Sequence, residues 1–202
     1  MRRIFLAMFF ILISMFVYGE EIMELKDYPL LFKEFNSSFG FTKGITQSGD
    51  GKYVAVTGGD TVEIFEVSSG ILIKELKNEG NGIETIEFSP DGKYLASGDR
   101  DKTIKIWEVS SGNCINSLSG HEGLVYSVVY SPDGKYIASG SMDDTIKIWE
   151  ASSGKCIKTL KGHNSSVNFI SYSPDGKYIA SGSMDDTIKI WEAFMKIGRA
   201  HV

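Results

Sequence analysis

A histidine, a serine and an aspartate follow one another at His121, Ser139 and Asp143, and again at His163, Ser181 and Asp185. Such a set could serve acyl transfer, because a base that takes a proton from a hydroxyl needs an acid to orient it. The same order returns at a fixed interval, however, and each time it ends in a tryptophan, Trp149 or Trp191. Nucleophilic catalysis needs one exposed site with an oxyanion hole, whereas a set that repeats with the chain's own period and includes an indole N–H donor is a structural network. The carboxylate pairs Asp143–Asp144 and Asp185–Asp186 suggest a cation, yet no further ligands stand at metal-site spacing, and turn chemistry accounts for them. No Walker, dinucleotide or zinc motif occurs. The sequence therefore predicts no catalytic residue, no cofactor and no metal site.

The elements that position these side chains come from a repeat. The text SPDGKYIASGSMDDTIKIWEA spans Ser131 to Ala151 and returns unchanged from Ser173 to Ala193. A third copy, SPDGKYLASGDRDKTIKIWEV, begins at Ser89, and a worn fourth, SGDGKYVAVTGGDTVEIFEV, at Ser48, so the starts are 41, 42 and 42 residues apart. A period of that size marks a solenoid, a propeller or a similar array. Within a unit, SPDG is turn chemistry: Pro and Asp start the turn and Gly permits its backbone. KYIASGS and TIKIWEA are strand-length and rich in β-branched and aromatic residues, SSGKC is another turn, and CIKTL and VNFISYS are further short strands. Each unit thus predicts a four-stranded blade without helix. Ile146 and Ile148 point to one face and Thr145 and Trp149 to the other, so both faces need cover. The run Ala138, Ser139, Gly140 suits crowded strands where wedge-shaped blades converge.

These residues strongly resemble the WD-repeat β-propellers: GH, SPDGKY and ASGSMDDTIKIWE follow in that order, and the resemblance covers about Gly40 to Ala193. It implies an all-β partial propeller of four four-stranded blades, the last lacking its own outer strand, within 30–195, with repeats at about 39–79, 80–121, 122–163 and 164–195. It implies hydrogen-bonded tetrads of His121, Ser139, Asp143 and Trp149 and of His163, Ser181, Asp185 and Trp191. The departures are Trp-Glu for Trp-Asp at Glu108, Glu150 and Glu192; Glu79 in the His place of the second unit, beside Ser97, Asp101 and Trp107; and a first unit that keeps only Asp60 and carries Phe65 for Trp. The first two blades are expected to be less rigidly tied. The family implies a protein-interaction scaffold without catalysis of its own. Its contact residues are expected where loops open on one face: Glu84, Arg100, Tyr126, Met142, Asn168 and Met184. The partner is then a protein or peptide. The alternative is a fragment of a secreted propeller enzyme, a glycan or peptide hydrolase or lyase whose catalytic residues lie elsewhere.

The flanks carry further expectations. Residues 1–19, MRRIFLAMFFILISMFVYG, have a basic start and an apolar run too short to span a bilayer as a helix, the layout of a signal peptide, followed by a linker over 20–29. The chain is expected to be exported, periplasmic or secreted, and to meet a membrane only through that segment if it is retained. Net charge is −5, and near −7 once Arg2 and Arg3 are removed, with lysines scattered singly, which excludes nucleic acid and disfavours anionic membranes. Cys114 and Cys156, 42 residues apart at equivalent places, lie too far apart for a disulfide and are expected to be free thiols. LFKEFNSS, Leu31 to Ser38, matches LIKELKNE, Leu72 to Glu79, and is expected to supply an outer strand to the final blade of a ring. IGRAHV, Ile197 to Val202, reads like translated sequencing adapter, so 196–202 is expected to be an artefact tail on a frame cut short, with further blades beyond it. Four blades alone would leave an arc with exposed apolar faces, or pair to bury them.

Overall fold

The computed structural model describes residues 37–79 and 81–193. The expected signal segment, the linker, most of the Leu31 to Ser38 strand and the closing tail lie outside those residues.

The described residues form four antiparallel sheets and no helix. The first sheet holds β1 (Gly44–Gln47), β2 (Tyr53–Gly58), β3 (Thr61–Glu66) and β4 (Leu72–Lys77). The second holds β5 (Ile83–Phe88), β6 (Tyr94–Asp99), β7 (Ile104–Glu108) and β8 (Cys114–Leu118). The third holds β9 (Val125–Tyr130), β10 (Tyr136–Ser141), β11 (Thr145–Glu150) and β12 (Cys156–Lys161), and the fourth β13 (Val167–Tyr172), β14 (Tyr178–Ser183) and β15 (Ile188–Glu192). Strands pair in chain order in every sheet, so each unit is a meander closed by tight turns.

The turns explain why the meander forms where it does. After β9, Ser131 Oγ donates to Asp133 Oδ1 at 2.7 Å, and the same Oγ accepts from Tyr136 N at 3.0 Å. Gly134 takes a φ of 70°, a left-handed geometry that a Cβ would strain. The motif recurs with Ser48, Ser89 and Ser173. On the opposite hairpins Asp144 and Asp186 are left-handed at 66° and 62°, a conformation Asp tolerates. That geometry, and not a cation, accounts for the second carboxylate of each pair.

The core lies between sheets. Ile104 and Ile106 of the second sheet join Val125, Val128, Ile137 and Trp149 of the third in one buried cluster. Ile146 and Ile148 of the third join Val167, Ile170 and Ile179 of the fourth in the next. Each sheet therefore turns a trailing face, carrying the isoleucines of its third strand, towards the leading face of the sheet that follows. The joint is close because its floor is glycine: a Cβ on Gly140 would stand 2.8 Å from Val167 Cγ1, and one on Gly98 2.7 Å from Val125 Cγ1. This is the packing reason for the small residues expected on the second strand.

Candidate functional site

In the third sheet, Asp143 sits in the β10–β11 hairpin and His121 in the loop before β9, so the two meet at one end of the sheet. His121 Nδ1 lies 2.7 Å from Asp143 Oδ2, and its Nε2 lies 2.7 Å from Ser139 Oγ. Trp149 Nε1 donates to the same Ser139 Oγ at 2.8 Å, and the His121 and Trp149 rings meet edge-on at 5.8 Å. The fourth sheet repeats the set: His163 Nδ1 to Asp185 Oδ2 at 2.8 Å, Nε2 to Ser181 Oγ at 2.7 Å, and Trp191 Nε1 to Ser181 Oγ at 2.8 Å. With the proton of His121 on Nδ1, every polar atom is satisfied: His donates to Asp, Ser donates to His, and Trp donates to Ser.

Asp–His–Ser is also the connectivity of a hydrolytic triad, but the chemistry differs. Ser139 is wholly buried and its oxygen already accepts the indole N–H, so no carbonyl carbon can approach it. Burial alone would raise Asp143, yet hydrogen bonds from His121, Thr145 and the Glu122 N–H outweigh it and hold the carboxyl well below the usual range. The set ties the loop before the inner strand to the hairpin after the second strand.

The second sheet departs from the expectation. Trp107 Nε1 donates to Ser97 Oγ at 3.0 Å, but Glu79, in the His place, joins no such network and is itself left-handed at a φ of 22°. Lys105 takes over the tie. Its ammonium donates to Asp101 Oδ2 at 3.1 Å and to Asn78 Oδ1, and lies 3.3 Å from Asp99 Oδ2. Asn78 in turn donates to the Asn81 carbonyl at 2.9 Å, fastening the same loop that His121 fastens in the third sheet. Burial pushes Asp99 up to about 6 against the pull of Lys105. Sequence reasoning missed this cluster. Its signal is an aspartate at 99 where Ser141 and Ser183 stand in later units, in the one sheet with a tetrad Trp but no His.

The first sheet is tied differently again. Glu63 stands on β3 where the later sheets carry Lys105, Lys147 and Lys189, and it is buried. Its carboxylate accepts from Ser38 Oγ at 2.6 Å and from Ser38 N at 3.2 Å, which brings the segment ahead of β1 onto the leading face beside Phe65.

The six expected contact residues fall into three pairs at one rim. Arg100 N donates to Gly82 O, Met142 N to Leu124 O and Met184 N to Ser166 O, at 2.8, 2.9 and 2.9 Å. Each hairpin residue is thus held beside the start of its own inner strand, where Glu84, Tyr126 and Asn168 stand. Met142 and Met184 are 51 % and 61 % exposed, far above the norm for methionine in a folded chain. Glu84 is not free for a partner: Lys43 at 2.5 Å and Arg100 both engage its carboxylate, so it presents Arg100 instead of binding directly. Asn168 keeps a buried carbonyl oxygen without a hydrogen bond. Cys114 and Cys156 are unpaired thiols. No group of three or more His, Cys, Asp and Glu among the described residues is placed to hold a metal ion.

Stacked four-stranded meanders with a Trp–Ser–His–Asp tie define the propeller-type repeat proteins. The family described as WD domain, G-beta repeat matches residues 70–108, 112–150 and 154–192, more than half of the chain, and the chain belongs to that WD-repeat family. Each matched segment takes the outer strand of one sheet and the first three strands of the next, so a sequence unit spans a joint. Strands β1 to β3 fold as a sheet although they lie outside the matches. No curated protein matches the chain.

Proposed function

We propose that the protein is an exported interaction scaffold that holds a protein or peptide partner at the rim formed by Arg100, Tyr126, Met142, Asn168 and Met184, without catalysis of its own. WD-repeat membership supports the scaffold class. The observation that carries the finer reading is the contrast between frame and rim. Ser97, Ser139 and Ser181 and their tryptophans do not vary, whereas the residues opening the inner strands run Glu84, Tyr126, Asn168 at the same structural place. A buried frame held constant beside half-buried positions that vary suits selective contact, and the exposed Met142 and Met184 with the half-buried Tyr126 supply adaptable, weakly hydrated contact area. Export rests on the Arg2–Arg3 start and the short apolar run that follows.

The rim is tested by comparing the chain with its Arg100→Glu, Met142→Asp and Met184→Asp triple variant in affinity capture from the compartment where the protein is found. A partner retained by the first and lost by the second, at equal melting temperature, is the expected result; equal retention overturns the rim. Amino-terminal sequencing tests export separately, with a new terminus near Gly19 expected in the exported fraction. Recovery only in membranes with Met1 intact overturns it.

A further inference from the structure

One residue of each outer strand reaches across to the next sheet, and in the middle joint that residue is short. Lys74 on β4 lays its stem over Gly112 of the second sheet, where a Cβ would stand 3.1 Å from Lys74 Cδ, and its ammonium donates to the Ser110 carbonyl at 3.1 Å. Lys158 on β12 reaches the fourth sheet in the same way, donating to the carbonyls of Glu192 and Ala193 at 2.8 and 3.2 Å. Midway between these two lysines in the repeat, Asn116 on β8 holds the equivalent place. Its amide ends over Gly154, the counterpart of Gly112, where a Cβ would stand 2.8 Å from Nδ2, and its Oδ1 accepts from Ser117 N at 2.9 Å. The carbonyls of Ala151 and Ser152, which match those of Ala193 and Ser110, therefore receive no ammonium from the outer strand.

A cleft of about 530 Å³ lies at this place, between the second and third sheets, both of them complete four-stranded units. Asn116, Ala151 and Ser152 line its polar side. Its apolar wall is made by Ile106 and Tyr130, both buried, the half-buried Tyr94, and Ile115, which is 53 % exposed on the outer strand. The charged residues of the lining are both acidic, Asp91 and Asp133, each joined at the surface by its neighbouring lysine, Lys93 at 3.6 Å and Lys135 at 3.7 Å. Both belong to the SPDG turns, so the cleft opens at the end of the sheets away from the rim. An apolar wall with carbonyls on one side and carboxylates beside it suits a cation carried on an aliphatic stem and disfavours an anion.

We propose that this cleft is a docking site for a lysine side chain of a partner protein, whose ammonium donates to the carbonyls of Ala151 and Ser152 while its stem lies against Ile106, Ile115 and Tyr94. The chain itself supplies the precedent, because Lys74 and Lys158 make this contact from within at the joints on either side. An ammonium carries three donors and no acceptor, which matches bare carbonyl oxygens, and its methylene stem covers apolar surface that Asn116 is too short to reach. The exposed Ile115 places the entry on the outer edge of the array, where a side chain arrives from a chain lying outside it. The site is distinct from the rim and does not depend on it.

Titration of the full chain with a glycine pentapeptide carrying one central lysine, acetylated and amidated at its ends, tests this by nuclear magnetic resonance. Saturable shifts at the Ala151 and Ser152 amides and the Ile115 methyls are expected, with a dissociation constant on the order of 1–10 mM, the weak range that a few contacts give. The same peptide with norleucine for lysine keeps the stem and lacks the ammonium, and is expected to bind at least about tenfold more weakly. Asn116→Lys, which gives the middle joint the residue of its neighbours, is expected to abolish the shifts. Where that variant loses the near-ultraviolet tryptophan signal of the parent, Ile115→Ser replaces it, with binding expected to weaken at least about threefold. The absence of saturable shifts at these residues overturns the proposal. Equal binding of the norleucine peptide overturns it too, since the cleft then reads only apolar surface, and so does full binding by the folded variant. The triple variant of the rim leaves the cleft whole and is expected to bind the lysine peptide as the parent does, so failure at the rim and failure here are told apart.

Discussion

Trp149 shows how much one residue does here. Its ring fills the second-to-third joint and its N–H satisfies Ser139, so Trp149→Ala is expected to cost on the order of 3–5 kcal/mol in urea denaturation. His121→Ala removes less volume but leaves Ser139 and Asp143 short of a partner, and about 1–3 kcal/mol is expected. An unchanged midpoint for either would show that the tie is dispensable. Asp99 supplies the opposite case. Its carboxyl titrates at about 6 in the folded chain against roughly 3.9 unfolded, so the fold binds the proton more tightly. Its favourable contribution is complete below the unfolded value and lost as pH rises through the folded one. Asp99→Ser, which restores the residue of the later units, is therefore expected to gain on the parent between pH 4 and 7, by on the order of 2–3 kcal/mol. Asp101, Asn78 and Lys105 face the same site, so the comparison must be made with all three intact. A difference that stays flat across that range would refute the assignment.

Among elements, identical strands in unlike surroundings give the sharper comparisons. Lys105 neutralises a buried cluster, whereas Lys147, at the same place on β11, reaches only Thr159 Oγ1 at 3.1 Å. Lys105→Met should thus strand Asp99 and cost several-fold more stability than Lys147→Met, readable in paired denaturation curves. Gly140 and Gly182 also share a sequence setting. Gly140→Ala forces backbone and Val167 apart and is expected to cost about 1–3 kcal/mol, while Gly182→Ala should fall within about 0.5 kcal/mol of neutral. Equal costs would mean that the joint, as drawn, does not set the need for glycine.

For the whole molecule, stability passes from sheet to sheet through joints, so the array should open from an end and not throughout. Strands β11 and β15 test this directly, because IKIWE is common to both and intrinsic exchange rates cancel. β11 pairs on both sides and is covered, whereas β15 pairs only with β14 among the described strands and is bare. Hydrogen exchange at Ile188 and Ile190 amides is expected to be at least about tenfold faster than at Ile146 and Ile148. Matching rates would indicate one cooperative block.

The repeat made much of this legible without coordinates. SPDG placed the turns, the alternation of TIKIW placed both buried faces, and recurrence of His, Ser, Asp and Trp separated a structural tie from a catalytic triad, because period and side-chain chemistry are local properties of the chain. The tertiary structure decided what depends on neighbours. The same isoleucines are core at 146 and 148 and surface at 188 and 190, for burial belongs to the sheet opposite and not to the residue. Likewise Lys105 and Lys147 stand in the same strand text, TIKIW, and differ nearby by Asp99 against Ser141. Only the fold brings Asp99, Asp101 and Asn78 around one of them, since ion pairing is set by what stands within a few ångströms and not by what stands next in sequence.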